Sequence, residues 1–402
     1  MKLEIYLKST IPLNEELWKL LREQIFYIDS RIRDSDLRKS SGQSTENFLT
    51  LTFEREIDEK ELKEITNNTI ALFEKTEQSF KRVDTPLIFE TEFECKFQQD
   101  PHEELRSSRQ IIENSPGVII YQGNLLRIIR GLDQLFKEFA LSRGAIEQEY
   151  PTTVPARSLA SNGYLASFPQ HAIFATPIHP DFKSLQDLVE SSKADSQEPR
   201  ICLASSTLEQ PRQVLAPTVC YHCFEGLRDK DLNSSELHLI TAIAKCHRHE
   251  YKTTNGLERL QTFTMREIIF YGSEKQVVAF RDEVLEFSKA LLEKWKLKMR
   301  VIGANDPFFA IDAGKKRSYQ SFLGLKQELQ LFLPYKNKWL AVGSFNNHRD
   351  TLTRAYGINN SDQESQMFSG CVGYGYERMA LGILAQVGHS TLALPEELQR
   401  SV

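Results

Sequence analysis

The 402 residues carry 50 Lys and Arg against 55 Asp and Glu, a formal net charge of −5, with 40% hydrophobic and 26% charged residues. This length allows two or three domains with a large core, and no apolar run approaches the ~18 residues that span a bilayer, so a membrane protein is excluded. Six cysteines are too sparse for a disulfide framework, and Met1-Lys2-Leu3-Glu4-Ile5-Tyr6 puts an acid where a secretory signal needs its apolar stretch. A cytoplasmic protein is expected, with any clustered cysteines available as metal ligands.

Along residues 1–98 the pattern reads strand, helix, strand, helix, strand. Leu3, Ile5 and Leu7 alternate, Leu17, Leu21 and Ile25 fall at helical spacing, and Phe48 to Phe53 alternates again. Asp58 opens a second helix through Phe73, and Leu87 to Phe97 returns to strand alternation before the polar joint Gln98-Gln99-Asp100-Pro101. These signals predict an N-terminal α+β domain over residues 1–100. It holds 15 Lys/Arg against 21 Asp/Glu, a net −6, so all of the chain's net negative charge lies here and the rest is close to neutral. A domain this acidic is expected to repel a phosphate backbone.

After a short helix and turn, the positions Leu125, Ile128, Ile129, Leu132, Leu135, Phe136 and Phe139 predict a long amphipathic helix from Leu125 to Leu141. The polar stretch 191–199, SSKADSQEP, reads as a loop within one domain. A second long helix is expected from Val277 to Lys298, with Lys289, Lys294, Lys296 and Lys298 near its C-terminal end; a solvated face that suits the helix dipole is the plain reading of those lysines.

Three constellations carry chemistry. Cys220-Tyr221-His222-Cys223 and Cys246-His247-Arg248-His249 have the residue types of a four-ligand zinc site. Leu237 to Ala244 reads as a helix running into the second group without knuckle turns, which argues against a closed site and leaves Cys95, Cys202 and Cys246 as buried thiols. Next, two alternating segments, Lys245–Glu250 and Gln261–Phe270, flank a polar loop and predict a hairpin that presents Arg248 and Glu250 on one face. Such a pair can grip a phosphate and a purine amino group, or serve only as a surface cross-strand pair. Lastly, Gly370, Gly373 and Gly375 precede a helix with Arg378 in its first turn, a plausible nucleotide seat whose glycine spacing does not fit a dinucleotide fold.

In order, these segments resemble the three motifs of class II aminoacyl-tRNA synthetases of the seryl type, over residues 118–390. The first is similar to Leu125–Pro151, the second to Arg248-His249-Glu250 with Arg259, the third to Gly373-Tyr374-Gly375-Tyr376-Glu377-Arg378. The nearest likeness is to the amino acid:[carrier protein] ligases, relatives of the zinc-dependent seryl-tRNA synthetases of methanogens. It rests on Asn162–His171, Ala304–Phe309, Gly343–His348 and Cys371–Gly375. The resemblance implies an α+β fold: a class II synthetase catalytic core over residues 118–402, with an antiparallel sheet flanked by helices, beside the small N-terminal α+β domain.

It also implies one zinc per chain on Cys220, Glu267 and Cys371, with Cys223 and His222 as rivals for the first position. Three ligands this far apart in sequence cannot form a knot, but they can converge in a cleft and leave the fourth position open. The implied reaction is attack of a small amino acid's carboxylate on the α-phosphate of ATP. Arg248 would hold the α-phosphate, Glu250 the adenine amino group, Arg259 the β- or γ-phosphate and Arg378 the γ-phosphate while stacking on adenine, with magnesium bridging the phosphates. Ala341 stands where seryl-tRNA synthetases place a metal-binding glutamate, and Glu328 is the substitute considered. The implied acceptor is the phosphopantetheine thiol of a carrier protein, docked on Lys294 and Lys298. A homodimer is expected. Given the acidic N-terminal domain, tRNA is not the expected acceptor; the alternatives are an atypical seryl-tRNA synthetase and a catalytically silent paralogue that senses an amino acid.

Overall fold

A computed structural model describes residues 1–10, 15–39, 46–80, 85–193, 203–250, 252–304, 324–361 and 366–399. The N-terminal module is a three-stranded antiparallel sheet in which Glu46–Phe53 lies between Lys2–Lys8 and Ile32–Lys39. Helices Glu15–Ile25 and Glu59–Phe80 pack with it, and Ile5, Leu7, Leu17, Leu21, Leu49, Leu51, Ile65 and Phe73 form a core of its own. The strand Ile32–Lys39 was not expected: its sequence, IRDSDLRK, is polar at most positions because it is an edge strand, and a bulge at Ile32/Asp34 further disturbs its alternation.

The strand expected to close this module is only Leu87–Glu90, and it pairs instead with Met299–Gly303 at the edge of a larger sheet. The expected 1–100 unit is thereby shortened. From residue 87 onward the chain packs with the main body, anchored by Thr91, whose hydroxyl donates to the Leu297 carbonyl at 3.0 Å.

The main sheet has eight strands in the order Leu87–Glu90, Met299–Gly303, Lys326–Leu333, Lys338–Arg349, Phe368–Gly375, Thr262–Gly272, His238–His247, Ile146–Glu149. All pairings are antiparallel except the last, where Ile146–Glu149 runs parallel to His238–His247. Helices Gly123–Ser142, Glu274–Lys294 and Tyr376–Val387 share one core with the sheet. Strand alternation sorts the side chains: Ile268, Phe270, Val372 and Tyr374 enter that core, while Ile269, Tyr271 and Cys371 belong to a separate cluster with Cys220 and Phe224. The expected fold class is therefore observed.

Two expectations change. Leu237–Ala244 is not a helix but most of the strand His238–His247; with Ile240, Thr241 and Ala242 all buried, its sequence lacks the polar alternation of a half-exposed strand. The helix expected to reach Lys298 ends at Lys294, since Lys296 takes φ +55, so Lys298 lies just before the strand Met299–Gly303. Its start is fixed by a capping box between Ser273 and Gln276. Among the described residues no helix is long and apolar enough to cross a membrane.

Close packing makes some glycines obligatory. A Cβ on Gly370 would lie 2.3 Å from a Phe270 ring carbon and 2.7 Å from the Asn346 carbonyl oxygen. Gly370→Ala is expected to lower unfolding stability by roughly 1–3 kcal/mol, read as a lower urea midpoint at unchanged slope.

Candidate active site

Cys220 opens the short helix Cys220–Gly226, Glu267 lies in the middle of Thr262–Gly272, and Cys371 lies on the adjacent strand, two places from the residue opposite Glu267. Their ligand atoms all fall within 4.8 Å of one another, and all three residues are buried. Backbone amides orient the carboxylate: Glu267 Oε1 accepts from Val219 N–H at 3.1 Å and Oε2 from Cys220 N–H at 3.0 Å, with the Thr218 hydroxyl also donating to Oε1. Gly373, opposite Glu267, leaves room for it, since a Cβ there would meet Met265 Sδ at 3.3 Å and Glu267 Cγ at 3.4 Å.

The electrostatics of this group are those of too few protons for three acids. Burial, followed by the neighbouring Cys371, pushes the Glu267 carboxyl up to about 7. The hydrogen bond between the two thiols pushes Cys220 up and pulls Cys371 down, and His348 and Asn346 also favour the ionised form of Cys371. His348 Nε2 lies 3.4 Å from Cys371 Sγ, and Asn346 Nδ2 lies 3.6 Å from it. Two sulfurs and one carboxylate, buried and sharing protons, fit a zinc ion by donor chemistry.

The rival ligands lie elsewhere. His222 stacks on Tyr150 with ring centroids 5.2 Å apart, and burial raises the Cys223 thiol to about 12. Cys246 is buried against Val219 and Ala242, so it does not complete a four-ligand site with Cys220 and Cys223. Cys95 is only half-buried, and Cys202 lies outside the described residues, as do residues 305–309 of the Ala304–Phe309 stretch.

The hairpin loop carries the second group. Arg248 Nε donates to the Pro217 carbonyl at 3.1 Å, and its guanidinium lies 5.3 Å from the centre of the Phe263 ring. Glu250 is 8% exposed and receives Arg259 Nε at 2.5 Å. Burial alone would raise its carboxyl, but Arg259 brings it below the usual range. Arg378 Nε donates to the Glu258 carbonyl at 2.6 Å, and its Nη1 lies 3.5 Å from the Ala341 carbonyl. Burial and the nearby Arg259 and Arg248 lower its pKa, with Glu250 and Glu328 opposing them, so three arginines share one electrostatic neighbourhood. Such a cluster favours an anion with several negative oxygens.

Glu328, on Lys326–Leu333, faces Lys326 at 3.4 Å and Gln330 at 3.4 Å. Lys294 is 69% exposed and ion-paired with Glu397, while Lys298 Nζ sits 4.7 Å from the centre of the Phe332 ring. Sequence reasoning missed Thr218, and it quoted His171, Asn346 and His348 only as parts of the Asn162–His171 and Gly343–His348 stretches. His171, within Asn162–His171, is 8% exposed; its carbonyl accepts from His249 N–H at 3.0 Å and its ring lies parallel to Phe168 at 5.9 Å.

A model of the tRNA synthetase class II core domain (G, H, P, S and T) matches residues 206–387. The chain carries a class II aminoacyl-tRNA synthetase-like core. It is 28% identical over 320 residues to the type-2 serine–tRNA ligase of Methanococcus maripaludis strain C7, covering 77% of this chain and 61% of that protein. The same share, 61%, applies to the strain S2 ligase, at 26% identity. The chain thus spans less than two thirds of the length of these relatives. The amino acid–[acyl-carrier-protein] ligase 1 of Bradyrhizobium diazoefficiens is 28% identical over 251 residues, covering 62% of this chain and 74% of that protein. Among solved structures, that of M. kandleri SerRS in complex with A. aeolicus tRNASec matches with TM-score 0.68 at 20% identity, over 100% of this chain and 77% of that one.

Burial and Arg248 hold the His171 imidazole down to about 4, against an ordinary 6.5. The unfolded chain therefore takes up this proton near pH 6.5 and the folded one only near pH 4, so the folded state loses stability as pH falls across that window. The cost is about 2–3 kcal/mol by pH 4. His171→Gln should remove it, and urea midpoints taken between pH 7 and pH 4 should fall less steeply in the variant than in the parent.

Proposed function

We propose that this chain activates a small amino acid as its aminoacyl-adenylate at the expense of ATP and passes the acyl group to tRNA, as the name of its seryl-type relatives states for them. The observation that carries the activation step is the placement of both residue groups on one set of strands. The hairpin bearing Arg248, Glu250 and Arg259 joins the strand His238–His247 to the strand that holds Glu267, and Arg378 follows directly on the strand that holds Cys371. An amino acid and a triphosphate thus meet across adjacent positions of a rigid sheet, and positioning is most of what adenylate formation requires.

The amino acid carboxylate attacks the α-phosphorus in line, the bond to the bridging oxygen breaks, and pyrophosphate leaves. Arg248 binds the α-phosphate and stabilises the charge that grows on it. Glu250 accepts from the adenine amino group, Arg259 takes the β- or γ-phosphate, and Arg378 takes the γ-phosphate while its flat guanidinium stacks on the base. Cys220, Glu267 and Cys371 would hold the zinc ion, which when bound supplies an open coordination position for a neutral amino group. Magnesium accompanies the phosphates, and Glu328 is the carboxylate this strand offers it. The substrates are glycine, alanine, serine or a small non-proteinogenic amino acid.

Support for tRNA as acceptor comes from the seryl-type relatives and from a solved tRNA complex whose protein matches the whole length of this chain, N-terminal module included. Carrier protein is the second reading. It is favoured by the bacterial carrier ligase, of which this chain covers 74% against 61% of the seryl-type relatives, and by Ala341. Its docking residues would be Lys294 and Lys298. A second copy of the chain is proposed to cover the exposed apolar side chains near the edge strand, Leu141 and Ile146, the latter 66% exposed; sedimentation should then give twice the chain mass.

The deciding experiment is amino-acid-dependent ATP–pyrophosphate exchange on metal-analysed protein, run over a panel of small amino acids. One zinc per chain and exchange with one or a few of them are expected. Cys371→Ala should lose both, and Arg248→Ala should keep the zinc but lose exchange by roughly two to three orders of magnitude. No exchange with any amino acid would overturn the reading in favour of a non-catalytic sensor. Acceptor assays then separate tRNA from phosphopantetheinylated carrier. If the carrier is charged, Lys294→Glu with Lys298→Glu should slow transfer while leaving exchange intact.

A further inference from the structure

Two of the contacts that fasten the loop presenting Glu250 and Arg259 reach residues outside the matched core. At one point Lys252 Nζ reaches the N-terminal module, donating to the Ile32 carbonyl at 2.7 Å, the Ser30 carbonyl at 3.3 Å and Glu54 Oε1 at 3.1 Å. Its backbone takes φ +52, a left-handed conformation that a lysine rarely adopts without outside contacts to hold it. At the other point the buried Leu257 N–H donates to His102 Nε2 at 3.0 Å. His102 Nδ1 faces Asp100 Oδ1 at 2.8 Å, which also accepts the His102 backbone N–H at 3.0 Å. That carboxylate places the imidazole proton on Nδ1 and leaves Nε2 bare to accept.

The ring and the loop are interlocked. Gly256 takes φ +47, and a Cβ on it would lie 2.4 Å from His102 Nε2, so the imidazole occupies the space directly beneath the loop. The residues that follow do the ligand work. Glu258 places its carboxylate between Lys336 and Lys338, the latter at 2.9 Å, and offers its carbonyl to Arg378; Arg259 pairs with Glu250. A shift of this loop would therefore displace Glu250, Arg259 and Arg378 together.

We propose that His102 and Lys252 are positioning residues for ATP: they hold residues 252–260 in the nucleotide-binding shape, and through Lys252 the N-terminal module acts on the ATP site. The proposal rests on the adenylate-forming reading. Neither side chain needs to touch the nucleotide. The amino acid pocket is built from other elements, so its affinity should be spared.

The test uses the full chain with His102→Leu, His102→Gln, Lys252→Met and Lys252→Arg. The KM for ATP, the KM for the amino acid and kcat are measured in pyrophosphate exchange, beside the thermal midpoint and hydrogen–deuterium exchange of peptides covering residues 252–260. His102→Leu leaves a buried N–H without its acceptor and should raise the KM for ATP roughly tenfold, with the amino acid KM unchanged and those peptides exchanging faster. Lys252→Met should raise it by roughly three- to fivefold. His102→Gln and Lys252→Arg retain an acceptor and a cation and should restore most of the loss. An unchanged KM for ATP in both the Leu and Met variants would overturn the proposal. So would parallel losses in both KM values and the thermal midpoint without rescue, which mark a merely structural contact. If the parent protein shows no exchange, the adenylate reading fails by itself, and loop protection unchanged in the variants would overturn the clamp separately.

Discussion

Three groups that each shed a proton on ionising are packed within 4.8 Å of one another in the protein interior, and the rest of the site is arranged around that conflict. Burial opposes three negative charges in one place, which is why the Glu267 carboxyl rises to about 7 and the two thiols share a hydrogen bond in which one gains acidity and the other loses it. A cluster that only repelled itself would have little reason to be so well supported. Two backbone amides at the start of a helix, a threonine hydroxyl, an asparagine and a histidine all converge on it. Those donors favour the ionised forms that burial opposes, and the three acids together are a donor set of the kind a cation takes.

The hairpin next to the cluster presents the opposite problem. Burial, Arg259 and Arg248 lower the pKa of Arg378, and the buried Glu250 offsets only part of it. The two groups therefore differ in sign: one gathers buried acids, the other gathers arginines of the kind that suit a polyanion. Strand geometry keeps them adjacent yet separate, because Glu267 and the loop residues are covalently one hairpin, and Cys371 and Arg378 are seven residues apart across one strand end. On the proposed reading, the shared sheet would supply the orientation that adenylate formation requires.

Much of this was legible from sequence where the chemistry is local or the pattern periodic. Helical spacing located Gly123–Ser142 and Glu274–Lys294 closely, and strand alternation located Lys2–Lys8. Family resemblance, rather than spacing, picked out the Cys220, Glu267 and Cys371 set. Periodicity failed where burial on both faces erased it, as at His238–His247, and where an edge strand is polar on both faces, as at Ile32–Lys39. Pairing partners were beyond reach for another reason: Leu87–Glu90 reads as a strand, but nothing in four residues says which sheet it joins. His102 was invisible, and His171 was noted only within a resembling stretch, because each acts through a backbone or ring contact with distant residues.

The N-terminal charge shows how a count differs from a field. Its excess of acids predicts a barrier to RNA, yet several of those acids are committed to contacts within the protein. Glu77 is buried and accepts from Ser9 Oγ at 2.7 Å and Thr10 Oγ1 at 2.7 Å; Asp29 and Glu61 grip Arg31 at 2.7 and 2.9 Å; and Glu54 receives Lys252 from the hairpin loop. A carboxylate paired at that range contributes little potential beyond a Debye length, so the charge a partner meets is set by the unpaired side chains of one face and not by the sum over the module. The total of −5 thus excludes neither acceptor. What one of the module's acids does near the core is structural: Glu54 meets Lys252 in the loop that carries Arg259, which ties the most acidic part of the chain to the arginine cluster.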